Sequence, residues 1–123
     1  MSDPAVEAFL DAVEDDKRRN DSRDLLRIME TATGSAPSLW GSIVGFGTHH
    51  YRYESGREGD TVAVGFSPRK SALVVYGLDV AEREELGRVR FGKGCVYITS
   101  LSAVDTTVLS RLVAHAYTTR HNV

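Results

Sequence analysis

Trp40–Lys70, WGSIVGFGTHHYRYESGREGDTVAVGFSPRK, is the stretch whose reading decides the fold. Before it, apolar residues recur at helical spacing; within it they alternate, and the interruptions are rich in turn formers. Ile43 to Gly47 and His49 to Glu54 read as two short strands, or as one long strand bent at its glycines. Ser55 to Asp60, SGREGD, reads as the hairpin loop between them and the next strand. Thr61 to Phe66 then sets Val62, Val64 and Phe66 on one face against Ala63 and Gly65 on the other.

Toward the C-terminus, Ser67-Pro68-Arg69-Lys70 is a second turn, and Ala72 to Leu78 is apolar on both faces, as in a central strand. Ala81 to Val89 reads as a short charged helix and Gly94 to Thr99 as the last strand. Ser102 to Thr119 is amphipathic, with Val104, Val108, Leu109, Leu112, Val113 and Ala116 on its inner face. Toward the N-terminus, Asp3-Pro4 starts a helix: Asp accepts from free N–H groups, and Pro fits a first position that needs no donor. Its stripe is Val6, Phe9, Leu10 and Val13. The polar run Glu14 to Asp21 reads as a connection, after which Asp21 or Ser22 caps a second helix that Gly34 stops. The expected fold is α+β: an antiparallel sheet of about four to five strands, with the N- and C-terminal helices packed on one face.

The chain has 123 residues, 41% hydrophobic and 26% charged, which suits a single domain, 1–123, with one core. A net charge of −2 excludes a general nucleic-acid binder, which carries a basic excess. The single Cys95 can form no internal disulfide, and together with the absence of a basic-then-apolar leader this predicts the cytoplasm. No apolar run approaches the ~20 residues that span a bilayer, so no membrane partner is expected.

Four segments then carry a resemblance: RDLLRIMETATGSAPSLWG, IVGFGTHHYRYESGREGD, VAVGFSPRKSALVVY and LGRVRFGKGCVYITSLSAVDTTVL. They are similar to successive motifs of the YdhG-like family, small bacterial proteins grouped as a domain of unknown function. The similarity runs from Val6 to Leu112. It implies an α+β fold, frataxin-like in outline, and, through one member regarded as a frataxin-like iron chaperone, a non-enzymatic intracellular iron carrier. The segment Gly77 to Glu85 is shorter than its counterpart in the family, so the helix there is expected to be short.

An iron site of that type uses carboxylates on the first helix, and Glu7, Asp11 and Glu14 fall at helical spacing if the helix reaches Glu14. A solvated face opposite the apolar stripe explains the same pattern, and Lys17, Arg18 and Arg19 follow to offset the charge. His49 and His50 are adjacent on a strand and point apart, so they do not ligate one metal together. His50 shares a face with Arg52 and Glu54; His49 shares the other with Tyr51 and Tyr53. Cys95, near Lys93, reads either as an activated thiol or as a small buried apolar residue. The glycine pairs Gly45-x-Gly47 and Gly92-x-Gly94 lack the following helix of a nucleotide loop.

The alternative to iron is a small-anion, metabolite or partner-binding cleft. Trp40, Tyr51, Tyr53, Tyr76 and Tyr97 supply flat surfaces with polar tips, while Arg52, Arg57, Arg69 and Lys70 supply charge. The expected cleft is walled by Trp40, bordered by the Arg57 and Arg69-Lys70 turns, and includes His50 and Tyr53. Packing explains the aromatics equally well. No nucleophile–base pair stands out, no obligatory cofactor is implied, and the chain is expected to be a monomer or a homodimer.

Overall fold

The computed structural model describes residues 3–78, 85–92 and 94–122. Among these lie three α-helices, α1 (Pro4–Asp11), α2 (Asp16–Thr33) and α3 (Thr106–Arg120). The strands are β1 (Ser38–Trp40), β2 (Ile43–Arg52), β3 (Glu58–Pro68), β4 (Leu73–Tyr76), β5 (Arg90–Gly92) and β6 (Cys95–Ile98). They form one antiparallel sheet in the order β1-β2-β3-β4-β6-β5. The fold is α+β with helices at both ends of the chain, as the periodicity predicts. Its six strands exceed the expected number because β1 and β5, three residues each, are too short to show an alternation.

Each helix starts on an aspartate. Asp3 accepts from the Ala5 N–H at 2.8 Å and Pro4 follows at the first helical position. Asp15 accepts from the Arg18 N–H at 2.8 Å, so α2 begins at Asp16 rather than at the expected Asp21 or Ser22. The polar run that reads as a connection thus supplies a cap and a solvated first turn, in which Lys17 pairs with Asp21 at 3.0 Å. Gly34, left-handed at φ +67, ends α2. Asp105 accepts from the Thr107 and Val108 N–H groups and starts α3, after a 3-10 turn at Leu101–Ala103.

The core lies between the helices and one face of the sheet. Leu10, Leu25, Met29 and Leu109 meet Val44, Phe46, Val64, Phe66, Val75 and Ile98, all excluded from water. The expected helix Ala81–Val89 is not found where it can be followed. Its residues 81–84 lie outside the described residues; Glu85 and Leu86 form a 3-10 turn and Gly87 makes one antiparallel bridge to Val104.

β2 is the single bent strand, not two. Its register with β3 is continuous through Val44↔Phe66, Phe46↔Val64, His50↔Asp60 and Arg52↔Glu58. The bend is at Gly47, φ +71, where a Cβ would lie 2.5 Å from Tyr117 and 2.8 Å from His121 of the C-terminal segment. Side-chain alternation changes face there. Val44 and Phe46 enter the core, but beyond the bend His49 is the residue that meets α3, its Nδ1–H donating to the Arg120 carbonyl at 2.7 Å. On β3 the expected single face of Val62, Val64 and Phe66 is likewise broken. Val62 leaves the helix-facing core and lies over Gly45, its Cγ1 2.3 Å from where a Cβ there would sit. The turn is also shorter than SGREGD: Tyr53 N–H donates to Arg57 O at 2.8 Å, and Glu58, Gly59 and Asp60 are already strand.

Beyond the bend β2 and β3 leave the sheet as a two-stranded arm, since β4 pairs with β3 only over Gly65–Pro68. The end of the chain clasps this arm. Arg120 Nε donates to the Ala63 carbonyl at 2.7 Å, and the Thr48 N–H donates to His121 Nδ1 at 3.0 Å. The Asn122 side chain bonds both the N–H and the carbonyl of His50, at 2.7 and 3.0 Å, as a neighbouring strand would.

Candidate functional site

The arm gathers charge on one face. Cross-strand pairing sets His50 opposite Asp60 and Arg52 opposite Glu58. His50 Nδ1 is 2.7 Å from Asp60 and its Nε2 is 3.0 Å from Glu58, which also accepts from Arg52 at 3.2 Å. The hydrogen bond to Asp60, then that to Glu58, raises the His50 pKa above the usual 6.5; partial burial opposes them. Both ring nitrogens already have partners, and every charge in the group has its complement. On the other face Tyr51 lies across Gly59, and Tyr51 and Tyr53 rings tilt together at 5.2 Å. Tyr53 is 57% exposed.

A different group forms on the sheet face away from the helices. Strand alternation puts Val74 and Tyr76 of β4, Cys95 and Tyr97 of β6 and Arg90 of β5 on that face. With Arg69 and Ser71 from the β3–β4 turn they line a concavity of about 270 Å³. Arg69 Nη2 reaches toward the Tyr76 hydroxyl at 3.5 Å, and the Arg90 guanidinium sits 5.2 Å from the Tyr97 ring centre. Gly92 makes room: a Cβ there would lie 2.6 Å from the Tyr97 ring and 3.0 Å from Cys95 Sγ. A hydrogen bond with Cys95 raises the Tyr97 pKa, with the Cys95 charge, burial and Tyr76 adding and Arg90 opposing, so the phenol stays protonated at neutral pH.

The two groups differ in how their charges are met. Arg19, Arg23, Arg27, Arg52 and Arg111 all reach carboxylates. Among the described residues neither Arg69 nor Arg90 does. A guanidinium has only donors, so two of them beside two phenols leave the lining short of acceptors.

The expected cleft is therefore redrawn. Arg57 and the Arg69-Lys70 turn stand at opposite ends of β3, because successive hairpin turns fall at opposite ends of an antiparallel sheet. They cannot border one site. His50 and Tyr53 belong to the arm, and Trp40 sits on the edge strand with its Nε1–H on Ser38 Oγ at 2.9 Å. Of the residues proposed from the sequence, Arg69 lines the concavity; Trp40, Arg57 and Lys70 do not. Arg90 gives no signal by itself, as a lone arginine between the expected helix Ala81–Val89 and the expected strand Gly94–Thr99; the hairpin pattern Arg90-Phe91-Gly92 and Cys95-Val96-Tyr97 is the available clue. Lys93 lies outside the described residues.

The three carboxylates Glu7, Asp11 and Glu14 do not share a helix face. α1 ends at Asp11, which pairs with Arg23, and Glu14 falls in the connection that Asp15 terminates as a cap. Among the described residues no group of three or more His, Cys, Asp or Glu side chains is placed to hold a metal ion, and no helix is long and apolar enough to cross a membrane. No protein-family model, curated protein or solved structure matches the chain.

Proposed function

We propose that this chain is a non-enzymatic binding module for a small anionic ligand, whose head group rests between Arg69 and Arg90 on the open sheet face. The observation that carries the reading is a pair of guanidiniums, without carboxylate partners among the described residues, that converge with the Tyr76 and Tyr97 phenols on one concavity. Carboxylate or phosphate oxygens supply the acceptors this lining lacks. The Tyr76 hydroxyl, which accepts from Arg69, keeps its own proton to donate. The YdhG-like resemblance is retained as part of this proposal on its sequence motifs.

Inorganic phosphate and acetate are the probes. The Arg69 and Arg90 Nε–H signals and the Val96 and Tyr97 amides are expected to shift together and saturate in an NMR titration. The double variant Arg69→Gln/Arg90→Gln is expected to lose the response. Shifts that do not saturate by about 10 mM, or that survive in the double variant, would overturn the reading.

A further inference from the structure

A second concavity adjoins the first. Where β3 parts from β4 a notch of about 370 Å³ opens, lined by Ile43, Val62, Tyr76, Leu78 and Arg120 among others. Tyr76 is common to both linings, so its ring is the wall they share. The notch has a chemistry of its own. Its walls are apolar (Ile43, Val62, Leu78), while Arg120 brings a cation to it from the end of α3. That arginine donates its Nε–H to Ala63 and, among the described residues, has no carboxylate partner. Its remaining guanidinium donors are open to a ligand.

The geometry points to an extended dianion as the ligand: one anionic head on Arg69 and Arg90, an apolar spacer along Tyr76, Ile43 and Val62, and a second head on Arg120. This deepens the anion-binding reading and rests on it. A mononucleotide or inorganic phosphate offers one concentrated charge and uses only the first concavity. A monocarboxylate with a long tail would leave Arg120 facing apolar atoms, which costs it its solvation without a new partner. A dicarboxylate satisfies both ends and lays methylenes against the apolar wall between them. The span is set by β4. Val74 lines the first concavity and Gly77, the turn residue just past the end of β4, lies beside Arg120; three residues of backbone separate them by at most about 10 Å, which matches an α,ω-dicarboxylate of about eight to ten carbons.

Calorimetric titration of straight-chain monocarboxylates and α,ω-dicarboxylates, from about four to about twelve carbons, tests this. Dicarboxylate affinity is expected to peak near nine carbons and to exceed that of the equally long monocarboxylate about tenfold. Arg120→Gln is expected to bring the dicarboxylate down to the level of the monocarboxylate. If monocarboxylates and dicarboxylates bind alike at every length while acetate still saturates the Arg69–Arg90 signals, the dianion is wrong and the anion reading stands. If no carboxylate and no phosphate saturates those signals, both fall. Because Arg120 also holds Ala63, a variant that loses its fold defers to the wild-type length profile: a flat profile overturns the proposal. A dicarboxylate advantage that survives in folded Arg120→Gln overturns it too.

Discussion

The hairpin arm and the open-face cleft are built from the same residue types, yet they treat charge in opposite ways. On the arm, His50 lies between Asp60 and Glu58, and Arg52 reaches Glu58; pairing across the two strands satisfies these charged side chains against one another. In the cleft, Arg69 comes from a turn and Arg90 from an edge strand, and both converge on phenols rather than carboxylates. The lesson is that density of charged and aromatic residues in a sequence does not mark a site. On the reading proposed above, unmet donors converging on a concavity do, and whether a donor is met depends on which strand runs beside it.

Four substitutions or conditions would break or sharpen that contrast. Gly47→Ala has the largest expected effect, a loss of about 2–3 kcal/mol in urea unfolding, because a Cβ at φ +71 is strained and meets Tyr117 and His121. If the arm is independent of the cleft, this variant keeps its phosphate response when folded; loss of both would show the regions to be one unit. Next, Arg69→Gln/Arg90→Gln is expected to weaken phosphate binding at least about tenfold, whereas His50→Gln/Arg52→Gln leaves it unchanged. Equal losses in the two pairs would erase the distinction. Asn122→Ala removes two hydrogen bonds to the His50 backbone and should cost about 1 kcal/mol, seen as faster amide exchange in β2 beyond the bend with the core strands unaffected.

The smallest effect is electrostatic. His50 has a raised pKa in the folded hairpin, so its protonated form is the one the fold favours. Its contribution to arm stability is complete below the ordinary histidine value and is lost as pH rises through the raised value. Arm amide exchange should therefore quicken across that window, and His50→Gln should flatten the profile. A wild-type profile with no step above pH 6.5 would show that the Asp60 and Glu58 contacts do not bias the proton.

Much of the fold was legible. Asp3-Pro4, the Leu25–Met29 stripe and Gly34 are local signals, and local backbone energetics were enough to read them. The start of α2 is not legible in the sequence because Asp15 is one acid in a run of three, and only its geometry distinguishes a cap from a solvated charge. Val62 is expected on one face with Val64 and Phe66 because strand alternation assumes that the pleat continues, and Gly47 interrupts it on the partner strand, not on Val62's own. Of the candidate site, Arg69, Tyr76 and Tyr97 were visible as residue types, but the false company of Arg57 came from judging proximity along the chain.

Period, caps and turn chemistry by themselves determined that this chain is α+β, with helices at its ends and an antiparallel sheet between them, because those features depend on interactions within a few residues. Tertiary structure alone decided which charges were neutralised and which were left facing a concavity. That outcome depends on strand order and register: β6 lies between β4 and β5, and this places Arg90 and Tyr97 beside Tyr76 and Arg69.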